Sequence, residues 1–224
     1  MSEKSVIGFD DVRARLAAGE RALLLVRHAE RPHIDHDDPT FGAALELTAN
    51  GRQMSEAFGR ALKGAATDVQ FRASPLRRTV MTAECIAAGM GLAGRSIVED
   101  DAIGNGSAFF ADPVAVWQLF RDRFFFDHMI TYLQKGEQTG FAPLGPATDV
   151  YERYVTSLFT AQLGLFVTHD VFIAAYLHGK GVKTDFNADN WPRFLDTAAI
   201  FIAPDGRRDY AFLRAGLSDR ATGV

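Results

Sequence analysis

Three short stretches of this sequence place chemically capable residues directly after an apolar run. Leu23-Leu24-Leu25-Val26 stops at Arg27-His28, with Arg31 close behind. Val69 to Ala73 stops at Ser74-Pro75, with Arg77 and Arg78 in the next helical turn. Leu163 to Val167 stops at Thr168-His169-Asp170. Guanidiniums grip oxyanions through forked, charge-assisted hydrogen bonds. An imidazole beside them serves as nucleophile or proton carrier near neutral pH. The chemistry this set implies is capture of an anion and attack on it, or proton transfer to it. One histidine after one strand is more often a structural hydrogen-bonder. Three such endings in one chain carry more weight, because in a parallel sheet all three lie on the edge where open α/β sheets bind ligands.

The elements that must position these residues follow from apolar period and punctuation. Phe9 to Ala18 reads as a helix, with Val12 and Leu16 at i, i+4 and Gly19 as its stop. Ala22 to Val26 is a buried-type strand. Arg31 to Glu46 dissolves into a polar loop, long enough at a strand end to be functional. Thr48 caps a helix to about Leu62, striped by Met54, Phe58, Ala61 and Leu62. Val69 to Ala73 is a second strand. Ser74-Pro75 then predicts an N-cap with proline at the first helical position, and Leu76, Val80, Ala83 and Ala87 form the helix's inner side. Ile97-Val98 is a third, short strand, followed by the acidic Glu99, Asp100 and Asp101. Asp112-Pro113 opens another helix, and 124–134 and 147–161 are also predicted helical. Leu163 to Val167 is a strand with a helix after it. Ala198 to Ile202 and Tyr210 to Leu213, joined by Pro204-Asp205-Gly206, predict an antiparallel edge hairpin. Strands alternating with helices give an α/β three-layer sandwich. Its central sheet is mostly parallel with helices on both faces, and an aromatic-rich helical insertion at about 107–161 covers one end of the sheet.

The chain has 224 residues, enough for one generous domain, and 47% hydrophobic with 23% charged content is ordinary for a globular protein. A net charge of −4 gives no footprint for nucleic acid or an anionic membrane. Any anion site is therefore a local concentration of Arg and His. The lone Cys85 cannot form an internal disulfide and reads as a small buried thiol. The first residues carry no signal-peptide core, and no run approaches the roughly 20 apolar residues that span a bilayer. A cytoplasmic location is the default expectation.

Four pieces resemble the histidine phosphatase superfamily, which includes phosphoglycerate mutases and histidine acid phosphatases. They are LLLVRHAERP (Leu23 to Pro32), LTANGRQ (Leu47 to Gln53), SPLRRTVMTAE (Ser74 to Glu84) and VTHDVFIAAYL (Val167 to Leu177). WPRFLDTA (Trp191 to Ala198) also looks like that family's entry to its last core strand. The pieces stand in family order across most of the chain, apart from roughly Ser107 to Ala161. The resemblance implies a single histidine phosphatase-like domain over 1–224, with 107–161 as insertion or cap. It implies a phosphomonoesterase working through a phosphohistidine. His28 would be the nucleophile, neutral and fixed in tautomer by a backbone carbonyl. Arg27, Arg78 and His169 would hold the phosphate oxygens. The family spacing Ser-x-x-x-Arg selects Arg78 over Arg77, which then reads as a surface residue. Arg31 matches a second arginine of the acid phosphatase branch, in a pattern RHGxRxP that RHAERP resembles with Ala29 for Gly. It reads as a phosphate contact, with a rim position as the other option. The proton donor to the leaving oxygen is Asp170 in the acid phosphatase pattern. In the mutase-like pattern it falls among Glu99, Asp100 and Asp101. Asp170 is preferred, and it also has the position of an N-cap. Four cationic or donor groups around one phosphate make a metal and any cofactor unnecessary. The partner implied is a small-molecule phosphate ester.

Other readings stand beside this one. His33-Ile34-Asp35-His36-Asp37-Asp38 offers metal-ligand types without helical register, and rims the pocket in the preferred reading. His128 and His178 fall in helical patterns as structural or surface residues. A phosphomutase or a non-catalytic phosphate- or phosphoprotein-binding module are the functional alternatives. Neither His28 nor Arg78 is lost, and nothing speaks for retention of a phosphorylated intermediate. Phe109, Phe110, Trp117, Phe124, Phe125 and Phe126 either line a pocket for the leaving group or fill core. The sequence leaves the substrate and the oligomeric state open.

Overall fold

Every residue of the first apolar run, Leu23 to Val26, is sealed from solvent, which requires a sheet covered on both faces. The computed structural model describes residues 6–34, 38, 40, 42–104, 108–121 and 125–217. In chain order the elements are β1 (Val6–Ile7), α1 (Phe9–Ala17), β2 (Arg21–Arg27), α2 (Ala49–Leu62), β3 (Val69–Ala73), α3 (Arg77–Gly89) and β4 (Val98–Glu99). After a 3₁₀ turn at Asp101–Ile103 come α4 (Pro113–Phe120), α5 (Phe125–Lys135), α6 (Leu144–Ser157), β5 (Leu163–Thr168), α7 (Asp170–Gly179), β6 (Thr197–Ile202) and β7 (Arg208–Leu213).

These strands form a seven-stranded sheet in the order β1-β7-β6-β2-β5-β3-β4. Strand β6 runs antiparallel to both neighbours, and the remaining pairs are parallel. The period-2 alternation of β2 divides its residues between two cores. Leu24 and Val26 join Val12 and Leu16 of α1, Phe58 of α2 and Ile86 of α3. Leu23 and Leu25 join Tyr132 of α5, Tyr151 and Val155 of α6 and Ile173 of α7. The architecture is the expected α/β sandwich. The 107–161 segment does more than cover an end, since Tyr151 and Val155 of α6 pack into the same core as sheet residues Leu23 and Phe166. No helix among the described residues is long and apolar enough to cross a membrane.

Four local expectations need correction. Strands β6 and β7 do form the hairpin, but it is not the edge: two residues of β1 pair with Phe212 and Leu213. Ser74-Pro75 does not start α3. Its N-cap is Leu76, without a side-chain cap bond, because the Ser74 hydroxyl is engaged elsewhere. The inner side of α3 is also rotated: Met81, Ala83, Ile86 and Ala87 are buried while Leu76 and Val80 are only half-buried. Helix α6 begins at Leu144, ahead of Pro146, since first-turn amides need no intrahelical acceptor.

Helices α2 and α3 cross at backbone distance. A Cβ on Gly59 would lie 2.1 Å from the carbonyl oxygen of Ile86, and one on Gly89 equally close to that of Glu56. Gly59→Ala is expected to destabilise by ~2–3 kcal/mol, lowering Tm by roughly 4–12 °C for a chain of this size. Calorimetry of the variant checks it, and an unchanged Tm would contradict the close crossing.

Candidate active site

Strands β2, β5 and β3 are neighbours in the sheet, with Arg27 opposite Thr168 and Ala73 opposite Val167. Their ladders continue one residue further: His28 N donates to Thr168 O and Ser74 N to Val167 O, both at 3.0 Å. All three chemically marked strand ends therefore meet on one edge, as the sequence implied.

Arg27 is buried and held from several sides. Its Nη1 donates to Pro192 O at 2.6 Å, its Nη2 lies 3.1 Å from Asp170 Oδ2, and its guanidinium sits 4.5 Å over the Phe194 ring. Arg78 is also buried and donates from Nη1 to Gly42 O at 2.8 Å, while its Nε has no hydrogen-bond partner among the described residues. Arg31 is half-buried and turns Nη1 onto Pro32 O at 2.8 Å. Burial, followed by the charge of Arg27, depresses Arg31 to about 10, and burial with the charge of Arg31 does the same to Arg78. These shifts record cations close enough to repel one another, all still charged at neutral pH. Arg77 points away, exposed, between Glu46 and Glu84.

His28 has an Nδ1 to Ala29 O contact of 2.8 Å. A carbonyl only accepts, so Nδ1 carries the proton and Nε2 the lone pair. Burial first, then Arg78, Arg27 and His169, hold this imidazole well below its ordinary range. His169, with ring centroid 5.5 Å from that of His28, is depressed in the same way by burial and then by Arg78, Arg27 and Arg31. Both rings are neutral at physiological pH. The Nε2 of His169 lies 3.0 Å from Ser74 Oγ.

Of the candidate acids, Asp170 lies in this pocket. Its Oδ2 accepts from Trp191 Nε1 at 3.2 Å and faces Arg27, and its charge reaches Arg27, Arg31 and Arg78. Its Oδ1 accepts from Val171 N in the first turn of α7. Asp100 is drawn aside: both its oxygens accept from Tyr154 Oη at 2.9 Å, and Arg72 lies 3.6 Å away. Asp101 and Glu99 are exposed.

Several neighbours carried no signal in the linear sequence. Thr82 Oγ1 accepts from Ala29 N at 3.0 Å and so fixes the backbone just after His28. The turn Trp191 to Phe194 surrounds Arg27, whereas the WPRFLDTA piece was marked in the sequence as a strand entry and not as a wall of the site. Asp35, His36 and Asp37 of the acidic loop lie outside the described residues. Asp38 is occupied with Thr40 and Gly42, whose groups donate to it and lower its pKa. Among the described residues no group of three or more His, Cys, Asp or Glu stands in metal-binding reach. Cys85 is half-buried, its thiol pushed up by burial. His128 of α5 meets Gln138, and His178 lies in the last turn of α7. Phe109 is buried against Tyr151 and Phe172, and Phe110 packs on Phe141 and Phe172. Phe126 stacks edge-on against Trp191 at 5.1 Å. Trp117 is half-buried. Phe124 and the side chain of Phe125 lie outside the description.

Residues 23–103 match the model of the histidine phosphatase superfamily, branch 1. The recognition read from the motifs is therefore the one returned by the family model, although RHAERP and His169-Asp170 carry features of the acid phosphatase branch. No curated protein matches the sequence. Solved structures share this fold at low identity. The phosphoglycerate mutase of Bacillus anthracis str. Sterne has a TM-score of 0.55 at 11% identity, covering 86% of this chain and 92% of its own. A mycobacterial glucosyl-3-phosphoglycerate phosphatase has 0.52 at 16%, covering 88% and 99%. A phosphoserine phosphatase of Entamoeba histolytica has 0.51 at 14%, covering 85% and 95%. At these identities the likeness concerns the fold.

The two depressed imidazoles fix a sign for the pH dependence of stability. Their folded pKa values lie below the unfolded value of about 6.5, so the unfolded chain binds protons first. Stability contributed by the neutral rings is complete above about pH 6.5 and is lost as pH falls below it. Thermal unfolding between pH 7.5 and 5 should show a falling Tm, with a shallower fall in His169→Gln. Parallel profiles for the two proteins would contradict buried, neutral His169.

Proposed function

We propose that this protein is a phosphomonoesterase that works through a phosphohistidine on His28. The observation that carries this reading is the convergence of Arg27, Arg31 and Arg78, buried or half-buried and mutually repelling, on two neutral imidazoles. A phosphoryl group is the ligand whose charge relieves that repulsion and whose tetrahedral oxygens fit forked donors. Arg27 and Arg78 are assigned to its equatorial oxygens and His169 to a third contact, with Arg31 at the pocket's outer side. Phosphoryl transfer asks mainly for positioning and charge stabilisation. The guanidiniums supply both, so the reading needs no metal.

In the first half-reaction the Nε2 lone pair of His28 attacks phosphorus as the ester P–O bond breaks. A carboxylic acid gives the leaving oxygen its proton. Water then attacks the phosphohistidine as the carboxylate takes its proton, the P–N bond breaks, and inorganic phosphate leaves with His28 neutral and the carboxylic acid restored. Asp170 is the preferred donor because it faces the pocket, whereas Asp100 is tied to Tyr154 and Arg72. Simple hydrolysis is preferred to mutase chemistry, which must retain and reorient the phosphorylated intermediate. The fold neighbours include enzymes named for either activity.

Hydrolysis of p-nitrophenyl phosphate by wild type and His28→Ala, with EDTA present, tests the reading. Wild-type activity should survive the chelator, vanish in His28→Ala and fall about 10²–10³-fold in Arg78→Ala. Activity abolished by EDTA, or retained in His28→Ala, would overturn it. The donor is separated by leaving group. Asp170→Asn should slow an alkyl phosphate, whose leaving oxygen needs a proton, far more than p-nitrophenyl phosphate. The same discrimination in Asp100→Asn, but not in Asp170→Asn, would reassign the role.

A further inference from the structure

The hydroxyl of Ser74, freed from helix capping, belongs to a chain of contacts that decides which nitrogen of His169 bears hydrogen. Thr79 Oγ1 lies 2.6 Å from the carbonyl oxygen of Ser74 and 2.6 Å from that of Leu76. Carbonyls have no proton to give, so the single hydroxyl proton of Thr79 is committed to them. In the 3.0 Å contact between Ser74 Oγ and Thr79 Oγ1, Ser74 is then the donor. With its only proton placed there, Ser74 Oγ accepts in its 3.0 Å contact with His169 Nε2. The reverse assignment would leave two oxygens facing each other at 3.0 Å with no hydrogen between them.

His169 is thus the Nε2–H tautomer, opposite to His28. Its Nδ1 makes no hydrogen bond among the described residues and is the ring nitrogen left to meet a ligand. Ser74 and Thr79 are buried, and Gly104 closes the edge beside them: a Cβ there would meet Ser74 Cβ at 2.6 Å and His169 Cδ2 at 3.2 Å. The other groups around the ring are Arg27 from β2, Arg31 from the loop after it, Arg78 from α3, the His28 ring, Phe172 of α7 and Asp170, next in the chain. Burial and the three arginines keep the unliganded ring neutral.

A phosphate dianion offers acceptors alone, so a lone pair on Nδ1 would repel it. We propose that Ser74 and Thr79 are positioning residues that fix the His169 tautomer, so that a phosphate group binds this pocket together with one proton, seated between His169 Nδ1 and a phosphate oxygen. A monoanion brings that proton itself. A dianion binds with uptake of one proton from solvent, and that proton returns to solvent when the dianion leaves. The inference rests on the reading of this pocket as a phosphate site, and its test separates the two.

The measurement is calorimetric titration with inorganic phosphate at about pH 8.5, above the second ionisation of a phosphate group, which is ~6 in phosphoesters. Two buffers of different ionisation enthalpy give the proton count. Wild type should take up close to one proton per phosphate bound. Thr79→Val releases the Ser74 proton toward His169 Nε2, and Ser74→Ala removes the acceptor. Either change lets Nδ1 carry hydrogen beforehand, so uptake should fall toward zero in whichever variant folds, and Thr79→Ser should restore it. Binding without uptake in wild type overturns the proposal and leaves the phosphate site intact. Uptake unchanged in both Thr79→Val and Ser74→Ala, or persisting in His169→Gln, also overturns it. Absence of phosphate binding altogether overturns the phosphate-site reading and this inference with it.

Discussion

The structure depends on keeping like charges together in a place where water cannot separate them. Arg27 and Arg78 are buried and Arg31 is half-buried beside them, and a guanidinium in such a position loses solvation before it gains anything. The protein offsets part of that cost with fixed acceptors: Pro192 O and Asp170 for Arg27, Gly42 O for Arg78 and Pro32 O for Arg31. It leaves the remaining positive field acting on His28 and His169, whose rings burial and that field together hold neutral. A neutral, tautomer-fixed imidazole is what a nitrogen nucleophile requires. In the proposed mechanism the arginines therefore prepare His28 as well as receive the phosphate.

Sheet geometry makes this confinement reproducible. His28, Ser74 and His169 emerge from adjacent parallel strands whose ladders run one residue past the strands themselves, so their separations are set by interstrand spacing rather than by loop conformation. The remaining wall is the Trp191 to Asp196 turn. There Leu195 adopts φ of +67°, a left-handed conformation unusual for a non-glycine residue. The turn places the Phe194 ring under Arg27 and beside His28 and brings Asp196 O to Arg27 N at 3.0 Å. Local backbone strain accepted next to a reactive group is a recurring feature of functional sites.

Much of this was readable in the linear chain. Leu23 to Val26 announced a doubly covered strand, and the residues at its end, with Ser74, Arg78, His169 and Asp170, named the pocket because strand ends of a parallel sheet must share an edge. What could not be read depended on side-chain competition or on very short elements. Ser74-Pro75 has the composition of a helix start, yet the Ser74 hydroxyl serves His169 and Thr79 instead. Two residues of β1 are too few to show a period, so the β6–β7 hairpin looked like an edge. The sequence preferred Asp170 to Asp100 without showing why; in the structure Asp170 meets Arg27 and Trp191, whereas Asp100 is held by Tyr154 of α6 and Arg72. Thr82 and the Trp191–Phe194 turn act through contacts with residues more than fifty positions away.

The proposed mechanism requires a covalent bond between phosphorus and His28, and acid-free rapid quenching with a ³²P-labelled phosphoester tests for it most directly. Wild type is expected to carry label on the peptide containing His28 during turnover, and His28→Ala to carry none while losing hydrolysis. Turnover by wild type with no labelled protein at any quench time, or label retained in His28→Ala, would contradict it.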